Sequence, residues 1–143
     1  MLGLDVGGSK IGVAETSEDW RARPLVTVPR RVDDIKRLID DRRIGLLAVG
    51  WPLEMSGVAG DRCADVLDFL KDLRQEGIHT AAALCDERLT TQAARQRLRS
   101  AGVRRSKQAR LEDQLAAAAI LDILLGREDE EEENEDPRTI RLM

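Results

Sequence analysis

Residues 1–14 read MLGLDVGGSKIGVA. Two short apolar runs, Met1–Val6 and Ile11–Ala14, stand on either side of Gly7 and Gly8. Runs of this kind joined through glycines predict a β-hairpin, because glycine supplies the tight turn. A third run, Leu25–Val28 (LVTV), extends the pair into an antiparallel meander. Asp5 interrupts the first run. An ionised carboxylate inside an apolar strand is expensive unless it is paired or binds a cation.

Further along, the pattern changes from hairpin to alternation. Val32, Ile35, Leu38 and Ile39 have helical spacing within Val32–Ile44. Ile44–Val49 (IGLLAV) is continuously apolar and reads as a buried, parallel strand. Gly50–Gly60 (GWPLEMSGVAG) is a loop. Cys63, Val66, Leu67, Leu70 and Leu73 then share one helical face that ends at Gly77. Thr80–Cys85 (TAAALC) is a second buried strand. Thr90 or Thr91 caps a helix that stops at Gly102, and Leu111–Leu125 is a helix apolar almost all round, hence buried. The alternation requires right-handed crossovers and parallel strands. The predicted fold is α/β: a mixed sheet, its first three strands antiparallel and the later ones parallel, flanked by helices. Residues 1–126 form its single domain, and residues 127–143 an acidic, disordered tail.

Composition narrows the function. A chain of 143 residues has room for one domain with a real core. Its aromatics are Trp20, Trp51 and Phe69 alone, too few for a single-strand binder built on base stacking. Cys63, Cys85 and the single His79 have no zinc-ligand spacing, and both cysteines read as reduced and buried. His79 reads as a helix-to-strand connector. The longest apolar run, Leu115–Leu121, is far short of the roughly twenty residues of a membrane span. No signal peptide is visible, so a cytoplasmic location is expected.

The formal net charge of -4 conceals a division. Residues 128–136 (EDEEEENED) hold eight acids; with those, Arg138 and Arg141 set aside, residues 1–127 carry 19 acids against 21 bases. Between positions 88 and 110 stand Arg88, Arg95, Arg97, Arg99, Arg104, Arg105, Lys107 and Arg110, with no acid among them. Arginine pairs phosphate oxygens through its planar fork, so this block suits a nucleic-acid backbone; the plainer alternative is a solvated helix face.

Three acidic positions point to chemistry. Besides Asp5, the pair Asp86-Glu87 directly follows the buried strand TAAALC, at the carboxyl end where ligands collect in α/β sheets. Asp113 opens the apolar helix and shares a side with Ala116, Ala117 and Ile120. Each has a bland explanation. Asp5 can accept hydrogen bonds from the Gly7 or Gly8 amides, Asp86 can pair with Arg88, and Asp113 can complement a helix N-terminus. Together, carboxylates from separate elements form the usual protein side of a two-metal phosphodiester hydrolase, with Mg²⁺ or Mn²⁺ as the ion.

The segments LGLDVGGSKIGVA (2–14), VGWPLEMSG (49–57), DERLTT (86–91) and EDQLAAAAILDILL (112–125) resemble the YqgF/RuvX family. The resemblance spans residues 2–125. It implies an RNase H-like fold, similarity to Holliday-junction resolvases, and a bacterial nuclease acting on the 5' end of pre-16S ribosomal RNA. Carried across, Asp5 is the first-strand acid and Asp113 the helix acid, while the middle acid falls at Asp86 or Glu87. Period-2 alternation puts those two on opposite faces, so one of them is expected to bind metal, with a lean to Glu87. Lys10, Arg88, Thr90, Thr91, Arg95, Arg99, Arg104, Arg105, Lys107 and Arg110 are the expected nucleic-acid contacts. The chain departs from the family at Ser9-Lys10, where one base is missing, and at Trp51, which replaces a smaller apolar residue. Neither departure removes an acid.

The expected partner is therefore structured RNA or branched DNA, bound by a monomer or homodimer. One rival is a non-catalytic nucleic-acid-binding or ribosome-assembly module, whose binding would survive EDTA. Another comes from LDVGGSKIG, which also resembles the phosphate loop of actin-like sugar kinases. Those enzymes need a second domain for which this chain has no room.

Overall fold

The computed structural model describes residues 1–16, 18–88, 105–126 and 139–142, with the chain path alone for 105–110 and 139–142. Six strands and three helices are described: β1 (Leu2–Val6), β2 (Lys10–Thr16), β3 (Ala22–Pro29), α1 (Val32–Arg42), β4 (Leu46–Trp51), α2 (Asp61–Gln75), β5 (Ala81–Asp86), α3 (Arg105–Leu124) and β6 (Thr139–Leu142). They make one sheet in the order β3-β2-β1-β4-β5-β6. The β1–β2 and β2–β3 pairs are antiparallel, while β1–β4 and β4–β5 are parallel, as the alternation predicts.

The β1–β2 turn closes through the Gly7 amide, which donates to the Lys10 carbonyl at 2.9 Å. A Cβ at Gly7 would stand 2.8 Å from that oxygen, so this position needs glycine for room. The first helix ends two residues before the expected Ile44. Arg43 adopts a left-handed φ of 52°, and the Ile44 amide reaches back to Ile39 at 3.0 Å, closing the helix without a glycine.

The two faces of the sheet are packed by residues of different size. Leu2, Leu4, Ile11, Val13, Leu47, Val49 and Leu84 meet Ile35 and Ile39 of α1 and Val66, Phe69, Leu70 and Leu73 of α2. The opposite face presents Gly3, Gly12, Ala14, Ala48, Gly50 and Cys85 to α3, which answers with Ala117, Ala118, Ile120 and Leu121. The strands thus alternate large with small, which polarity patterning does not register. With no bulk between them, α3 lies directly on the strand backbones: a Cβ at Gly3 would meet the Ala117 carbonyl and stand 2.8 Å from Leu121 Cγ.

Three sequence expectations need correction or qualification. The buried helix begins at Arg105 rather than Leu111, so Asp113 lies in the body of the helix and does not complement its N-terminus. The tail was expected to be disordered throughout, yet Thr139–Leu142 pairs antiparallel with β5, Thr139 opposite Cys85 and Leu142 opposite Ala82. The alternation Thr-Ile-Arg-Leu suits a strand laid on an open sheet edge. The helix expected after Thr90 lies outside the described residues, as does 127–138. Among the described residues no helix is long and apolar enough to cross a membrane. Cys63 and Cys85 are buried thiols outside any disulfide, and His79 is an exposed connector between α2 and β5.

Candidate active site

Asp5 follows Leu4 on β1 and so points to the opposite face, towards α3. Its cross-strand partner on β2 is Gly12. A Cβ at Gly12 would land on the Asp113 carbonyl and stand 2.8 Å from Asp113 Cβ. The missing side chain therefore lets α3 lay Asp113 over the strand next to Asp5. On the other flank, β4 pairs Leu4 with Val49, so Gly50 lies one register step further on, at the level of Asp5. A Cβ there would collide with Glu87 Oε2 and stand 2.8 Å from Ile120 Cδ1. The Glu87 carboxylate thus occupies the space over Gly50. Its backbone is aimed by an amide hydrogen bond to the Trp51 carbonyl, 3.2 Å, which continues the β4–β5 ladder. Two glycines flanking Asp5 are what let acids from a loop and a helix converge on it.

Electrostatics records the convergence. Burial, and then the Asp113 charge, pushes Asp5 up from 3.8 to about 6. Burial, and then Asp5 itself, pushes Glu87 up from 4.5 to about 7. Both carboxyls resist ionising because little water reaches them and each faces another acid.

Asp86 and Glu87 part company, as period-2 alternation requires. Asp86 is gripped by Arg88: its carboxylate accepts from the Arg88 backbone amide at 3.0 Å, from Nε at 2.9 and 3.0 Å, and from Nη2 at 2.6 Å. That is the bland pairing weighed for Asp86 from the sequence. Asp113 is also engaged, by Lys10 Nζ at 2.9 Å, which draws the lysine pKa upward through that hydrogen bond. Among the described residues no group of three or more acids, cysteines or histidines is gathered closely enough to hold an ion. The convergence is one of neighbouring charges around Asp5.

Sequence reasoning missed Arg62. It stands in the first turn of α2, with Nη2 3.9 Å from Glu87 Oε1, and its charge opposes the upward shift of both Glu87 and Asp5. Together with Val6, Gly7, Gly8, Pro52, Asp61 and Asp65 it lines a cavity of about 320 Å³ beside the end of β1. The only sequence signal was its place just after the loop glycine Gly60.

Of the expected nucleic-acid contacts, Lys10 and Arg88 are held by Asp113 and Asp86. Thr90, Thr91, Arg95, Arg99 and Arg104 lie outside the described residues, while Arg105, Lys107 and Arg110 fall in the first turns of α3.

Comparison with known proteins agrees with this architecture. The family model described as "RuvX: Holliday junction resolvase" matches residues 1–127. A Chloroflexus aggregans protein named "Putative pre-16S rRNA nuclease" is 39% identical over 127 residues, covering 85% of this chain and 89% of its own length. A protein of the same name from Geobacillus thermodenitrificans is 36% identical over 130 residues, 84% of this chain and 92% of that one. Among solved structures, T. thermophilus RuvC in complex with a Holliday junction substrate superposes with a TM-score of 0.57 over 99% of this chain and 98% of its own. At 14% identity that match speaks for the RNase H-like fold alone. With the family model matching residues 1–127 and relatives matching over most of their length, this chain belongs to the RuvX family.

Proposed function

We propose that this protein is a metal-dependent nuclease that hydrolyses phosphodiester bonds in structured nucleic acid, and that its substrate is the 5' end of pre-16S rRNA, the substrate class in its relatives' names. A cytoplasmic site of action goes with that substrate. The observation that carries the reading is the burial of Asp5 and Glu87 as mutually repelling neighbours on one sheet face. A fold keeps such a pair at a cost in stability unless a cation relieves it.

The donor set fits a hard divalent ion, being carboxylate oxygen without sulfur or imidazole. Asp5 and Glu87 would hold it, joined by Asp113 once Lys10 releases that carboxylate. When bound, Mg²⁺ or Mn²⁺ supplies positive charge to the scissile phosphate and to the attacking water. In the hydrolysis, water oxygen bonds to phosphorus, the bond from phosphorus to the leaving oxygen breaks, and the proton lost by water is balanced by one gained at the leaving oxygen. Asp5 and Glu87, once ionised, would accept hydrogen bonds from the attacking water and orient it. The basic stretch 88–110 holds the backbone.

The test is cleavage of an end-labelled precursor RNA and of a four-way DNA junction, with Mg²⁺, Mn²⁺ or EDTA. The reading predicts metal-dependent cutting of the RNA, abolished by EDTA and reduced at least ~100-fold in Asp5→Asn and Glu87→Gln. Cutting of the junction alone would reassign the substrate. Binding without cleavage in any metal would favour the assembly-module rival, and normal cutting by both variants would refute the site.

A further inference from the structure

We propose that Arg62 is a catalytic residue whose guanidinium contacts a non-bridging oxygen of the phosphodiester held at the Asp5–Glu87 site. The inference rests on the nuclease reading and adds a cation from a different element, α2, to a site otherwise described by its acids.

Two arginines near this site are built in opposite ways. Arg30 is a strut. Its guanidinium donates to the Gly7 carbonyl at 3.0 Å and to Asp65 at 2.6 and 3.1 Å, and it stacks 5.4 Å above the Phe69 ring. It thereby ties the turn after Asp5 to α2, one helical turn beyond Arg62. Arg62 has none of this. Its side chain is 82% exposed, and its nearest carboxylate oxygen, on Glu87, lies 3.9 Å away, beyond hydrogen-bond reach. Among the described residues no hydrogen bond holds it. A residue meant only to neutralise Glu87 would sit closer and deeper, as Arg88 does on Asp86 at 2.6 Å.

What the position offers is a loosely held fork at the rim of that cavity, 3.9 Å from Glu87 and with its charge felt by Asp5 as well. A phosphodiester brought to those acids carries the wrong charge for them. An arginine at the rim matches phosphate oxygens in a planar, bidentate way and stays charged at any working pH. Because Arg30 fixes α2 against the β1–β2 turn, the fork is carried on a rigid element, which favours stabilisation of charge that develops during the reaction.

The experiment compares wild type, Arg62→Ala, Arg62→Lys, Asp5→Asn and, as a remote control, Arg37→Ala on the exposed side of α1. It measures kcat on the precursor RNA in Mn²⁺, and affinity for that RNA in EDTA across a salt series. Arg62→Ala is expected to lower kcat about 100-fold and to make the log–log salt slope shallower by about one. Arg62→Lys should restore the slope but no more than about a tenth of kcat, and Arg37→Ala should change neither. Full kcat in Arg62→Ala alongside inactive Asp5→Asn would overturn the proposal while the nuclease reading stands. An unchanged slope with lowered kcat would make Arg62 a counter-charge to Glu87 and also overturn it. A wild-type protein that cuts nothing would overturn both, whatever the slope.

Discussion

At the scale of single residues, the site is under electrostatic tension, and the tension has a measurable sign. Asp5 and Glu87 hold their protons up to about pH 6 and 7, well above their ordinary values of 3.8 and 4.5. The fold therefore binds protons more tightly than the unfolded chain. The penalty is absent below about pH 4, grows as pH rises through the two folded values, and is complete above about pH 7. For Asp5 alone the shift corresponds to something on the order of 2–3 kcal/mol. Thermal melts in EDTA should give a lower Tm at pH 8 than at pH 5, and the Asp5→Asn/Glu87→Gln double variant should flatten that difference. A flat wild-type profile would contradict the burial assigned to the pair. A second prediction separates two adjacent acids. Asp86→Asn weakens a salt bridge to Arg88 and should retain most of the cleavage, whereas Glu87→Gln should lose at least ~100-fold. Comparing their initial rates on one substrate decides it. Asp5 and Asp113 stood out in the sequence because acids in apolar surroundings are rare. Asp86 and Glu87 were separated there by no more than a lean to Glu87, since alternation separates their faces without saying which face receives α3. Arg62 was illegible for the opposite reason, being one more charged residue in a helical first turn.

At the scale of elements, the arrangement depends on absent side chains. The strands alternate bulky and tiny residues, so Leu2, Leu4 and Val49 fill one layer while Gly3, Gly12 and Gly50 leave the other bare for α3. Reading by polarity found β1 to β5 in their chain order, and missed β6, but it treated IGLLAV as unpatterned, because both halves of this alternation are apolar. The consequence is two glycine substitutions with different outcomes. Gly12→Ala drives a methyl into the Asp113 backbone, which a helix cannot yield locally, and should destabilise the protein by about 1–3 kcal/mol in urea denaturation. Gly50→Ala meets only the ends of the Glu87 and Ile120 side chains, which can swing away. It should cost about 1 kcal/mol or less in the same measurement, yet cut activity sharply by displacing the Glu87 carboxylate. Equal effects on stability, or an active Gly50→Ala, would contradict this account of how the acids are brought together.

At the scale of the whole molecule, the carboxyl ends of the parallel strands, the part of α3 that carries Asp113 and the first turn of α2 come together at one end of the sheet, and the basic sequence from Arg88 to Arg110 starts there, with Arg88 paired to Asp86. Binding to RNA should be strongly salt-dependent. If about five of those bases neutralise phosphates, the log–log slope is roughly -4.5, read from titrations at several salt concentrations. The central claim is narrower than any of this: Asp5 and Glu87 share a divalent ion. Anomalous diffraction from crystals soaked in Mn²⁺ tests it most directly. A manganese peak bonded to oxygens of both Asp5 and Glu87, and absent in Asp5→Asn, is the predicted result. Saturating Mn²⁺ with no peak between those two carboxylates would contradict it.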